Sequence, residues 1–128
     1  MKEITEDYVS FETAKLLKEK GFESDDCHTA YDENGQLFWH GDYSKDRKGV
    51  VDAPTLQMAV KWLREKHDIF IAIMIFDEED RIGLSENERY CWNIHYNSTG
   101  NIRPFDGVAK TPEESCEAAI KYCLENLI

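Results

Sequence analysis

Apolar residues fall into short periodic runs separated by polar breaks, and each run carries the period of one element. Phe11, Ala14 and Leu17 recur at helical spacing, with Ser10 placed to cap the first turn and Gly21 to take the left-handed position that stops the helix near Lys20. Phe22 then folds back on Leu17. Residues 27–40 read as a hairpin broken at Asp32-Glu33-Asn34-Gly35, whose residue types accept positive φ. With Asp32 facing Gln36 across a type I turn and a glycine bulge, Cys27, Tyr31, Leu37 and Trp39 share one face. His28, Ala30, Asp32, Gln36, Phe38 and His40 share the other. A two-residue turn at Asn34-Gly35 mixes polar and apolar side chains on both faces, so the first register is preferred.

A loop over 41–52 leads to Pro54, which suits the first turn of a second helix carrying Leu56, Ala59, Val60 and Leu63, with Met58 and Trp62 flanking, and ending near His67. Residues 69–76 are apolar at every position, the pattern of a central strand covered on both faces. Over 89–97 the pattern alternates: Tyr90, Trp92, Ile94 and Tyr96 point one way, and Cys91, Asn93 and His95 the other. A turn over 98–101 precedes an edge strand over 102–109, weakened by Pro104 and Gly107. Thr111-Pro112-Glu113-Glu114 then starts a last helix whose expected buried residues are Cys116, Ala119, Ile120, Cys123 and Leu127. The expected fold is α+β, a single domain over 1–128 in the order α-β-β-α-β-β-(β)-α, with helices packed on a largely antiparallel sheet. From Thr55 onward this order is similar to the double-stranded-RNA-binding topology, without its basic motif.

The chain has 128 residues, 41% of them hydrophobic, enough for one core without staples. Twenty-six acidic residues against fifteen Lys and Arg give a net charge of −11, which counts against a nucleic-acid binder. Only 41–67 is locally positive, through Lys45, Arg47, Lys48, Lys61, Arg64 and Lys66. These residues are candidates for an anion contact or a weak nucleic-acid contact; the plainer reading is a solvated helix face beside an ordinary loop. The longest apolar run is too short to span a membrane, and residues 1–7 lack the apolar stretch of a signal peptide. A cytoplasmic setting is expected. Four cysteines without a C-x-x-C, inside periodic segments, read as buried thiols of a reducing compartment.

Phosphate-binding glycine loops, the nucleophile elbow and the H-E-x-x-H zinc pair are absent. Cys91 and His95 lie about 13 Å apart if 89–97 is a strand, too far to share one ion. His28 and His40 face each other in the preferred hairpin register, but two imidazoles do not make a zinc site, so no metal or other cofactor is expected. Cys27 with His28, His40 and Asp25, Asp26 or Asp42 is the one place a small thiol or metal enzyme could be built. Cys27 and His28 point to opposite faces if extended. The Asp77-Glu78-Glu79-Asp80 run lacks the spacing of a calcium loop and reads as a solvated connection. Tyr90, Trp92 and Tyr96 could stack on bases, but their surroundings are acidic, and core packing against a helix is the better reading.

Three stretches, Val9-Ser10-Phe11-Glu12-Thr13-Ala14-Lys15-Leu16-Leu17-Lys18-Glu19-Lys20-Gly21-Phe22, Ala53-Pro54-Thr55-Leu56-Gln57-Met58-Ala59-Val60-Lys61-Trp62-Leu63-Arg64-Glu65 and the helix from Thr111, carry a resemblance in this order and spacing. Together they resemble a family of short, uncharacterised proteins of phages and mobile elements of gut Bacteroides-type bacteria. The resemblance implies a genomic setting and no catalytic residue. With no catalytic constellation, a strongly acidic surface and an aromatic hairpin, the function expected is non-catalytic binding of another protein, a second copy of this chain included. Tyr31, Phe38 and Trp39 are the contact candidates. The acidic surplus also suits a DNA mimic that occupies a DNA-binding protein.

Overall fold

The structure, a computed structural model, describes residues 6–24, 26–39, 49–75, 89–96, 100–102 and 109–128. The α+β class holds. The chain divides into two compact units, 1–59 and 60–128. Their elements are α1 (Phe11–Glu19), β1 (Thr29–Tyr31), β2 (Leu37–Trp39), β3 (Val51–Asp52), α2 (Leu56–His67), β4 (Ile69–Ile75), β5 (Tyr90–Tyr96), β6 (Gly100–Ile102) and α3 (Pro112–Asn126). The boundary between the units falls inside α2. Among the described residues the strands form two antiparallel sheets, ordered β2-β1-β3 and β4-β5-β6, and no described strand of the hairpin pairs with the sheet that contains β4. Among the described residues, no helix is long and apolar enough to cross a membrane.

In the first unit, helix α1 begins and ends where its caps place it. The Ser10 hydroxyl accepts from the Thr13 N–H at 3.2 Å. Gly21, at φ +92°, closes the other end, with the Phe22 N–H donating to Leu17 O and the Gly21 N–H to Lys18 O. The hairpin adopts the preferred register, Ala30 opposite Phe38 and Tyr31 opposite Leu37. Its turn is held by the Asp32 carboxylate, which accepts from the N–H groups of Asn34 (2.9 Å) and Gln36 (3.0 Å), and by Gly35 at φ +79°. The third strand, β3, was not expected: a two-residue strand at the end of a polar loop leaves no periodic trace, yet Val51 pairs with Tyr31 and is buried. The chain before α1 is tied to the start of α2, Val9 N–H donating to Pro54 O and Leu56 N–H to Asp7 O. Thr55, rather than a first-turn Pro54, caps α2, its hydroxyl accepting from Met58 N–H at 3.1 Å.

In the second unit, α3 packs on β4 and β5. Trp92 and Ile94 are buried as the alternation required, and the Trp92 ring lies 5.1 Å from that of Tyr122. Thr111 caps α3 by accepting from Glu114 N–H, with Pro112 in the first turn. The buried stripe of α3 is Ser115, Ala119, Ile120, Cys123 and Leu124, while Cys116 and Leu127 are half-buried. Ser115 and Leu124 thus take the buried places expected for Cys116 and Leu127.

Strand β4 departs most from expectation. It lies at the edge of its described sheet, and β5 takes the centre. Ile69 is buried, but Phe70 and Ile75 are 46% and 54% exposed. An unbroken apolar run states that both faces avoid water; it does not state that this chain supplies the cover. The turn before it is also unusual: Asp68 closes α2 in the left-handed region, at φ +54°. The other edge strand, β6, starts at Gly100 rather than at Ile102; of its expected span, 103–108 lie outside the described residues, and Ala109 bridges to Tyr90.

Two stability changes are expected, each read by thermal or urea unfolding. Gly35→Ala forces a side chain into a left-handed conformation and puts its Cβ 2.9 Å from the Phe11 ring, and is expected to cost about 1–2 kcal/mol. Ser115→Ala removes a hydroxyl oxygen that is fully buried with no partner among the described residues. It is expected to be neutral or to stabilise by up to about 1 kcal/mol, where an ordinary buried hydrogen bond would make the same change destabilising.

Candidate functional site

Trp39 stands on β2, one of the two edge strands of the first sheet among the described residues, 69% exposed, and Leu37, two residues back on the same strand face, is 44% exposed. An indole held open at a sheet edge is the most conspicuous departure from burial in this unit. The ring is placed by the hairpin register, which sets Trp39 opposite Thr29, and by His28, whose ring centroid lies 5.4 Å away. Phe38 points to the other face and is half-buried. The edge combines two exposed apolar side chains with the main-chain groups β2 turns away from β1, the template to which an extended chain adds.

Tyr31, the third aromatic proposed for contact, is committed inward. Its hydroxyl donates to Val9 O at 2.6 Å, and its ring packs 5.4 Å from Phe11, over which Lys15 Nζ sits. That bond joins residues 22 apart, so no local pattern announces it. Cys27 is 1% exposed and its thiol donates to Thr29 O at 3.4 Å, an enclosed position rather than that of an attacking group. His28 is exposed and its ring is directed at Trp39. His40, Asp25 and Asp42 lie outside the described residues, as do Lys45, Arg47, Lys48 and the 77–80 acidic run. Lys61, Arg64 and Lys66 are exposed on α2. Among the described residues, no three His, Cys, Asp or Glu side chains gather into a metal-binding group.

On β5, Trp92 is enclosed against Tyr122 and offers no platform for a base. The other strand face carries Cys91, Asn93 and His95, with an Asn93 Nδ2 to His95 Nε2 hydrogen bond at 3.1 Å. The exposed Phe70 and Ile75 on β4 are a feature that sequence reasoning missed, since the same pattern predicted their burial.

All four cysteines are thiols rather than disulfide halves; Cys27 and Cys123 are buried, and Cys91 and Cys116 half-buried. Burial pushes Cys116 up from 9.0 to about 11, helped by the negative charges of Glu117 and Glu113. Burial likewise pushes Cys123 up to about 12, partly offset by a backbone hydrogen bond. Burial thus favours the protonated thiol over the thiolate at both positions.

Comparison with protein-family models, curated proteins and solved structures yields no match.

A thiol whose pKa is raised on folding contributes stability that is whole below the unfolded value of 9.0 and is lost as pH rises through the folded one. Wild type is therefore expected to lose more stability above about pH 9 than Cys116→Ala does, read as the difference between their melting temperatures across the alkaline range.

Proposed function

We propose that this protein is a non-catalytic binding module that takes a protein partner along the open edge of β2. The observation that carries the reading is Trp39, 69% exposed on an edge strand with Leu37 beside it. The partner supplies an extended segment that pairs with β2 and packs apolar side chains against Leu37 and Trp39. Tryptophan at the centre of such a contact is the residue type that most often dominates its energy. A net charge of −11 favours a partner with a basic surface, and steers its approach. A DNA-binding protein is one such partner, which makes DNA mimicry a sharper form of the same reading. In the phage or mobile-element setting that the resemblance implies, the partner belongs to the host cell. The enclosed Cys27 thiol weighs against the rival thiol enzyme, and the charge balance against nucleic acid.

Capture from nuclease-treated host lysate tests the proposal, with Leu37→Ala/Trp39→Ala as the control. Both side chains are exposed, so the double variant is expected to keep its melting temperature while losing about 10-fold or more of the captured partner. Equal capture by the variant contradicts the β2 edge as the site. Capture that disappears with nuclease moves the contact to nucleic acid and to the basic stretch over 45–66.

A further inference from the structure

We infer that β4 is a self-association strand: two copies pair antiparallel through their β4 edges, joining two three-stranded sheets into one of six strands. The outer edge of β4 carries no strand partner among the described residues. Natural sheet edges are blunted by charge, proline or a bulge. Strand β4, Ile69-Phe70-Ile71-Ala72-Ile73-Met74-Ile75, has none of these and pairs with β5 without interruption over all seven residues.

The sequence of the strand names its partner. It is symmetric about Ala72: isoleucine at 69 and 75, a large unbranched or aromatic apolar residue at 70 and 74, isoleucine at 71 and 73. A two-fold axis at Ala72 sets Ile69 opposite Ile75 of the other copy, Phe70 opposite Met74, Ile71 opposite Ile73, and Ala72 opposite itself. A two-fold interface requires this self-complementarity, because each residue's partner is fixed by the same strand read backwards. The pairing also supplies cover where it is lacking, bringing the exposed Ile75 beside the other copy's Ile69 and the exposed Phe70 beside its Met74.

Charge decides where two such chains can meet. Each carries −11, so copies repel, and β4 is a seam to which neither contributes a charged side chain. One strand edge with a few exposed side chains lies at the small end of specific interfaces. The dimer is therefore concentration-dependent, forming in the micromolar range, and added salt tightens it by screening the repulsion.

Analytical ultracentrifugation from about 1 to 300 µM tests this. The expected mass rises from 14.9 kDa to twice that value. Phe70→Lys/Ala72→Lys, both at exposed positions, is expected to remain at 14.9 kDa with an unchanged circular dichroism spectrum. Ala72→Cys gives a second readout independent of whether that variant folds. Directly opposed residues on antiparallel strands lie about 4.5–5.5 Å apart at Cα, within disulfide reach, so mild oxidation is expected to yield a 72–72 linked dimer identified by peptide mass. A wild type that stays monomeric throughout, a lysine variant that still dimerises, or oxidation that links other cysteines but not 72 to 72 overturns the inference. Leu37→Ala/Trp39→Ala is expected to dimerise normally, which separates this interface from the β2 edge.

Discussion

Everything assigned to the hairpin depends on one constraint, the register fixed at its turn. Side chains alternate along a strand with a period of two, so a slip of one residue would exchange the faces of β2. Leu37 and Trp39 would trade places with Phe38. The slip is prevented by the Asp32 carboxylate, which holds the N–H groups of Asn34 and Gln36, and by Gly35, the one residue type that enters the left-handed region without strain. Phe11 of α1 lies against that glycine, close enough that even a methyl group there would crowd its ring. Turn chemistry, helix packing and the exposure of Trp39 are thus consequences of a few atoms between 32 and 36.

The two sheets handle their edges differently. In the first unit, β1 is the central strand, and its flanking strands are short: β2 ends in exposed apolar side chains, and β3 carries a buried valine. In the second, α3 covers one face of β4 and β5, burying Trp92, Ile94, Ile120 and Leu124, while β4 leaves Phe70 and Ile75 in water. Apolar surface left open on an edge strand costs solubility, and proteins retain it where something else covers it. The two exposed edges differ in what they suit. The β2 edge presents one large anchor and a neighbour, a pattern for a foreign segment; β4 presents a symmetric strand, a pattern for its own copy.

Local chemistry made much of the fold legible in the sequence. Ser10, Gly21, Asp32, Gly35 and Thr111 act within a few residues of themselves, and each stands where its residue type predicted. Alternation over 89–97 placed Trp92 and Ile94 inward because one face of β5 is covered by α3. What could not be read depends on partners distant in the chain. The inward commitment of Tyr31 is set by Val9 O; strand β3 exists only because β1 offers it an edge; the position of β4 in its sheet is a matter of topology rather than pattern. Of the site, Trp39 was named as a contact candidate on the hairpin and is exposed, whereas the openness of β4 ran against its own apolar pattern.

Hydrogen exchange of the isolated protein, resolved to single amides, tests most directly whether the β2 edge is free to receive a partner. Amides of β2 that point away from β1 are expected to exchange nearly as fast as in an unfolded chain, while those bonded to β1 are protected. Equal protection of both sets would mean that the edge is already covered in the isolated protein, and would contradict an open binding strand.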